Sequence, residues 1–87
     1  MDRKLFEEEL EREGYTVRES GMQPGEPKGQ HEHDFDARLL VLDGEITIAW
    51  GDVLRTYRAG DSYSLPAGTS HDEIVGPNGV RYVVGRR

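Results

Sequence analysis

HEHDFDARLLVLDG, residues 31–44, is the stretch on which the reading of the fold turns. Two histidines, His31 and His33, open it. An apolar run from Leu39 to Leu42 follows, and Asp43-Gly44 closes it with turn chemistry. Residues i and i+2 of an extended chain point to one face, so the two imidazoles are expected side by side. The third histidine of the chain, His71, ends a turn-rich stretch, GDSYSLPAGTSH, residues 60–71. If the sheet brings His71 to the first pair, three imidazoles converge, which is the donor set of a transition-metal site.

Outward from that stretch the chain reads as short strands. The runs Ala37–Leu42, Glu45–Trp50, Val53–Tyr57, Ser62–Leu65, Ser70–Val75 and Val80–Val84 are separated by Asp43-Gly44, Gly51-Asp52, Ala59-Gly60-Asp61, Pro66-Ala67-Gly68 and Gly76-Pro77-Asn78-Gly79. Each gap is read as a turn. Ile46, Ile48 and Trp50 alternate with Glu45, Thr47 and Ala49, the period of a half-buried strand. Tyr15–Glu19 is strand-like too, and Gly21, Pro24, Gly25, Pro27 and Gly29 punctuate what comes next. Residues 2–13 read as a helix with Asp2 as N-cap, Gly14 as stop, and Leu5, Phe6 and Leu10 as its apolar stripe. The organisation expected is a helix over residues 1–14 and an all-β, antiparallel domain over 15–87.

Composition bounds the function. The chain has 87 residues, one small domain. With 34% hydrophobic residues its core must be compact or shared. A net charge of −6 argues against nucleic acid and anionic membrane surfaces as partners. The absence of cysteine excludes disulfides, thiolate ligands and a cysteine nucleophile. The N-terminal stretch is charged throughout and reads as neither signal peptide nor membrane span, so a cytoplasmic location is expected.

The histidine-bearing segments resemble the two motifs of the cupin superfamily. The first is Gly, five residues, His-x-His, three or four residues, Glu, six residues, Gly. Gly25, His31, His33 and Gly44 match it. The second is Gly, five residues, Pro-x-Gly, two residues, His, three residues, Asn. Gly60, Pro66, Gly68 and His71 match it. The acid position falls on Ala37, or on Asp36 if the spacing slips by one, and the asparagine position is Val75. The resemblance spans about Tyr15 to Val84. It implies an antiparallel jelly-roll β-barrel of the small, single-domain RmlC-like type. Inside the barrel, His31, His33 and His71 would bind one divalent transition metal, with zinc, iron, nickel and manganese as candidates. Homodimers formed by sheet packing are also implied.

A fourth ligand is sought among Asp36, Asp34 and Glu73. A bulge would turn Asp36 inward. Glu73, two residues after His71, shares its face if the strand is regular, as an acceptor for an imidazole or as an acid/base. Asp36 is therefore a candidate both for the metal and, with Glu73, for catalysis. Two functions compete. One is an oxygenase- or isomerase-like enzyme acting on a small molecule in the barrel; iron would suit oxygen chemistry. The other is a non-catalytic binding or sensor module acting as a dimer. Trp50, Tyr57, Tyr63 and Tyr82 are read as core, rim or interface, and Arg38 as an outward-facing residue. Leu40 and Leu42 fall on one strand face, Leu39 and Val41 on the other. Both faces of that strand therefore need cover, from the helix or from a second chain.

Overall fold

Asp2 starts the one helix among the described residues: its carboxylate accepts from the Lys4 N–H at 2.9 Å, satisfying one of the free donors of the first turn. The computed structural model describes residues 1–26 and 29–87, so the reading of Pro27 as punctuation lies outside the described residues. Helix α1 spans Arg3–Arg12, and five strands follow: β1 Thr16–Met22, β2 Ala37–Trp50, β3 Val53–Arg58, β4 Ser62–Leu65 and β5 Asp72–Arg86. No helix among the described residues is long and apolar enough to cross a membrane.

All pairings between strands are antiparallel, in the order β1-β5-β2-β3, with β4 also on β2. One edge of β2 is shared: Ala37–Leu40 pair with β4, and Glu45–Trp50 pair with β3. Its other edge carries β5 from Ala37↔Arg86 to Ala49↔Asp72. The segment before β2 crosses between the two ends of β5. Asp36 exchanges backbone hydrogen bonds with Arg87, and His31 with His71. That crossing rolls the sheet over its own inner face.

Two of the expected turns do not reverse the chain. At Asp43-Gly44, β2 continues through register shifts, and Gly44 has φ +78°. A Cβ there would run into the carbonyl oxygen of Gly79. At Gly76–Gly79, β5 likewise continues. Ile46 pairs with Val75 and Gly44 with Val80, so the four residues between bulge out opposite Glu45. Turn residues in both places thus bend two long strands instead of ending four short ones.

The alternation along β2 divides two hydrophobic clusters. Leu39, Val41, Ile46 and Ile48 face the inner core with Leu65, Val75, Val80 and Val84. Leu40 faces outward and packs with Val83 beneath Phe6 and Leu10 of α1; all four are at most 1% exposed. Each such burial stabilises by about 1.5–3 kcal/mol. The helix is thus the cover of that outer face. Gly85 permits its close approach, since a Cβ there would lie 2.7 Å from a Leu10 methyl. Arg38 clamps the contact: its guanidinium reaches Glu9 at 3.3 Å and Glu13 at 3.4 Å, and lies 5.6 Å from the Phe6 ring centroid. Leu5, expected in the apolar stripe, is 59% exposed, because Phe6 and Leu10 alone fill the face toward the sheet.

Candidate metal centre

Backbone geometry brings the histidines together before any side chain acts. The N–H and C=O of His31 pair with those of His71, each at 2.9 Å. The Pro66–Thr69 turn closes with a 3.1 Å bond from the Thr69 N–H to the Pro66 carbonyl. Its Gly68, with φ +80°, donates its N–H to the His33 carbonyl at 2.9 Å. His31 and His33 do not lie in a regular strand; one bridge and one turn contact hold them instead.

One ring nitrogen from each of His31, His33 and His71 lies within 4.8 Å of the others. Ring centroids are 4.4 Å apart for His31 and His71, and 5.2 Å apart for the two pairs that include His33. His71 is fully buried. Its Nδ1 donates to the Thr69 carbonyl at 2.8 Å, and the Nδ1 of His31 donates to the Gly29 carbonyl at 3.2 Å. A carbonyl only accepts, so these bonds put a proton on each Nδ1 and turn both Nε2 atoms inward. Both Nε2 atoms then face the same carboxylate oxygen, Oε1 of Glu73, at 3.2 Å from His31 and 3.0 Å from His71.

A carboxylate accepts, so these contacts hold as hydrogen bonds when Nε2 carries a proton, and a metal ion in place of those protons would meet the same three atoms. Two donors on one metal, at bond lengths of about 2.1 Å, stand about 3.0 Å apart at a right angle and about 3.4 Å apart at a tetrahedral angle. The separations of Glu73 Oε1 from His31 and His71 have that size, and the three-histidine cluster, its nitrogens within 4.8 Å of one another, could hold an ion. The His33 imidazole has its pKa lowered from 6.5, first by burial and then by the positive charges that His71 and His31 would carry; Glu73 opposes this and Arg86 adds to it. A ring held neutral is the form that ligates.

Sequence reading and structure differ over the carboxylates. Asp36 is not brought to the histidines. Its Oδ1 accepts from the Ala67 N–H at 2.8 Å, and its backbone pairs with Arg87, so it ties down the turn before His71 instead of supplying a ligand. Asp34 is exposed beside a shallow cleft with Glu32 and Gly68. Glu73, with its side chain 9% exposed, is the acid that meets the rings.

The cluster opens on a cavity of about 280 Å³. Phe35, Leu39, Leu65 and Val84 are among its apolar walls, and Tyr82 and Arg86 also line it. Phe35 stacks on His33, with centroids 4.8 Å apart and planes inclined by 20°. Tyr63 stacks on Tyr57 nearby, centroids 4.4 Å apart. Burial, followed by the charge of Glu73 and the neighbouring Tyr82 and Tyr57, pushes its phenol well above the usual value of 10.0, so it stays protonated. Arg86, Tyr82 and Phe35 escaped the sequence reading as cavity residues. Ending the last strand at Val84 hid that Tyr82, Val84 and Arg86 continue one inward-facing alternation.

The family model described as Cupin domain matches residues 18–83. Solved structures agree in fold. A cupin-2 domain containing protein from Shewanella frigidimarina superposes with a TM-score of 0.66 at 25% identity, over 80% of this chain and 67% of that one. An RmlC-like cupin from the same organism gives 0.68 at 21% identity, over 83% and 64%. A Rhizobium leguminosarum protein of unknown function gives 0.76 at 17% identity, over 83% and 68%. The chain thus spans about two thirds of the length of each of these neighbours. No curated protein matches the sequence.

Proposed function

The chain belongs to the cupin domain family, and from that premise we propose that it binds one divalent transition metal through His31, His33 and His71, with the Glu73 carboxylate beside His31 and His71. One observation carries the reading: the Nδ1 bonds of His31 and His71 to backbone carbonyls aim both Nε2 atoms at a single Glu73 oxygen. Glu73 thereby supplies the carboxylate that the first motif lacks. When bound, a metal with open positions polarises an oxygen of a molecule in the cavity or activates water. The chain's own residues do the rest. Apolar walls exclude water, and Glu73, the one acid among the described cavity residues, is placed to hold or pass a proton. This arrangement suits oxygenase- or isomerase-like turnover of a small molecule.

Elemental analysis of protein purified without a nickel column tests the reading, beside His71→Ala and His33→Ala controls. About one metal per chain, lost in both controls, supports it. Absence of metal after reconstitution with zinc, iron, nickel and manganese defeats it.

A second reading, a binding or sensor module acting as a homodimer, is favoured by a separate observation. Ile46 and Ile48 point into the core, so Thr47 and Ala49 point out. Leu54 pairs with Ala49 and Ile74 with Thr47, on the same outer face. Leu54 is 68% and Ile74 53% exposed, and α1 packs elsewhere, over Leu40 and Val83. Sedimentation equilibrium of wild type and Leu54→Glu tests the dimer. A wild-type monomer at high micromolar concentration contradicts it.

A further inference from the structure

The cavity has a second polar pole, at the end of β5. Tyr82, Val84 and Arg86 alternate with Arg81, Val83 and Gly85, so the first three share the inward face. Val83 and Gly85 lie outward, against the helix. Tyr82 and Val84, with Arg86 exposed at the end of the strand, line the cavity that His31, His33 and Glu73 also line. The Arg86 guanidinium lies 4.7 Å from the Phe35 ring centroid, and Phe35 in turn stacks on His33. A planar cation lying on an aromatic face keeps its N–H fork free for a second partner. The arginines that do pair with carboxylates, Arg3, Arg38, Arg58 and Arg81, pair away from this cavity. Arg86 forms no ion pair with a carboxylate among the described residues.

We propose that the cavity binds a small apolar carboxylate, with its carboxylate group on Arg86 and its body between Phe35, Leu39, Leu65 and Val84. Bound so, the ligand's far end points to the histidine cluster; that end of the assignment rests on the metal reading above. The volume of about 280 Å³ lies at the small end for ligand cavities and suits a single ring or a short alkyl chain. One guanidinium balances one negative charge, and a two-oxygen anion matches its fork. The chain's net charge of −6 gives anions no general attraction, so selectivity for an acid must come from this local cation.

Calorimetric titration of benzoate, phenylacetate and hexanoate, each against its primary amide, tests this in metal-free and zinc-loaded protein. At least one acid is expected to bind about tenfold or more tightly than its amide, as a charge-assisted pair requires. Arg86→Gln should bring that acid to the level of the amide. Arg86→Lys should recover only part, because an ammonium lacks the fork. Arg86→Gln should still take up about one zinc per chain, since Arg86 is not a ligand. Acids and amides that bind equally throughout the series, or an acid preference undiminished in Arg86→Gln, overturn the proposal. Failure of the two readings is separable. Acid preference without zinc binding removes the metal and leaves the carboxylate site; zinc binding without acid preference does the reverse.

Discussion

Oε1 of Glu73 lies 3.0 Å from Nε2 of His71, two residues earlier and just before β5, and the same oxygen reaches His31 at 3.2 Å. Two residues along an extended chain share a face, so one short segment delivers both an imidazole and a carboxylate to the same point.

Replacing Glu73 by Gln keeps the shape and removes the charge. Zinc affinity should fall by about 10–100-fold, the usual cost of losing a carboxylate that supports a metal. Chelator competition measures it, with circular dichroism confirming the fold. An affinity unchanged within twofold would place Glu73 outside the metal's reach.

Asp36 should behave differently. Asp36→Ala removes the acceptor of the Ala67 N–H and loosens the turn before His71. The expected cost is about 1 kcal/mol, or several degrees in Tm, with one zinc still bound per chain. Loss of zinc with an unchanged Tm would restore Asp36 as a ligand.

Acid should destabilise the metal-free protein through His33. Its folded pKa lies below 6.5, for the causes given above. Between the two pKa values the unfolded chain binds more protons, so stability rises with pH in that window. It is therefore fully present above about pH 6.5, falls as pH drops toward the folded pKa, and levels below it. Urea unfolding across pH 5–8 should show this limb, flattened in His33→Gln. A limb of opposite slope, or one unaffected by the substitution, contradicts the assignment.

Phe6→Ala should remove the anchor of the helix over Leu40 and Val83. A fully buried Phe truncated in a packed cluster costs about 3–5 kcal/mol. Denaturant unfolding gives the number. A loss under about 1 kcal/mol would mean that α1 is not an integral cover of the sheet.

Much of this was legible from residue spacing. The two motifs placed the three histidines, and the alternation from Leu39 to Leu42 separated the two faces that the inner core and the helix occupy. What failed was local. Asp43-Gly44 and Gly76–Gly79 carry turn residues, but pairing with a long neighbour on each side holds the chain extended, so they became bulges. The carboxylate was sought both next to the motif's acid position, at Asp36 or Asp34, and on the face of His71, at Glu73. Whether Asp36 or Glu73 reaches the rings depends on which partner claims each, and the Ala67 N–H that claims Asp36 is thirty-one residues away in sequence.

The most direct test of the account is titration of metal-free protein with zinc, in the wild type and in His33→Ala, whose half-exposed ring is less needed for folding than buried His71. Saturation at about one ion per chain is expected in the wild type. In the folded variant, affinity should fall by orders of magnitude. Absence of saturable binding, or binding that survives the loss of His33 unchanged, would contradict it.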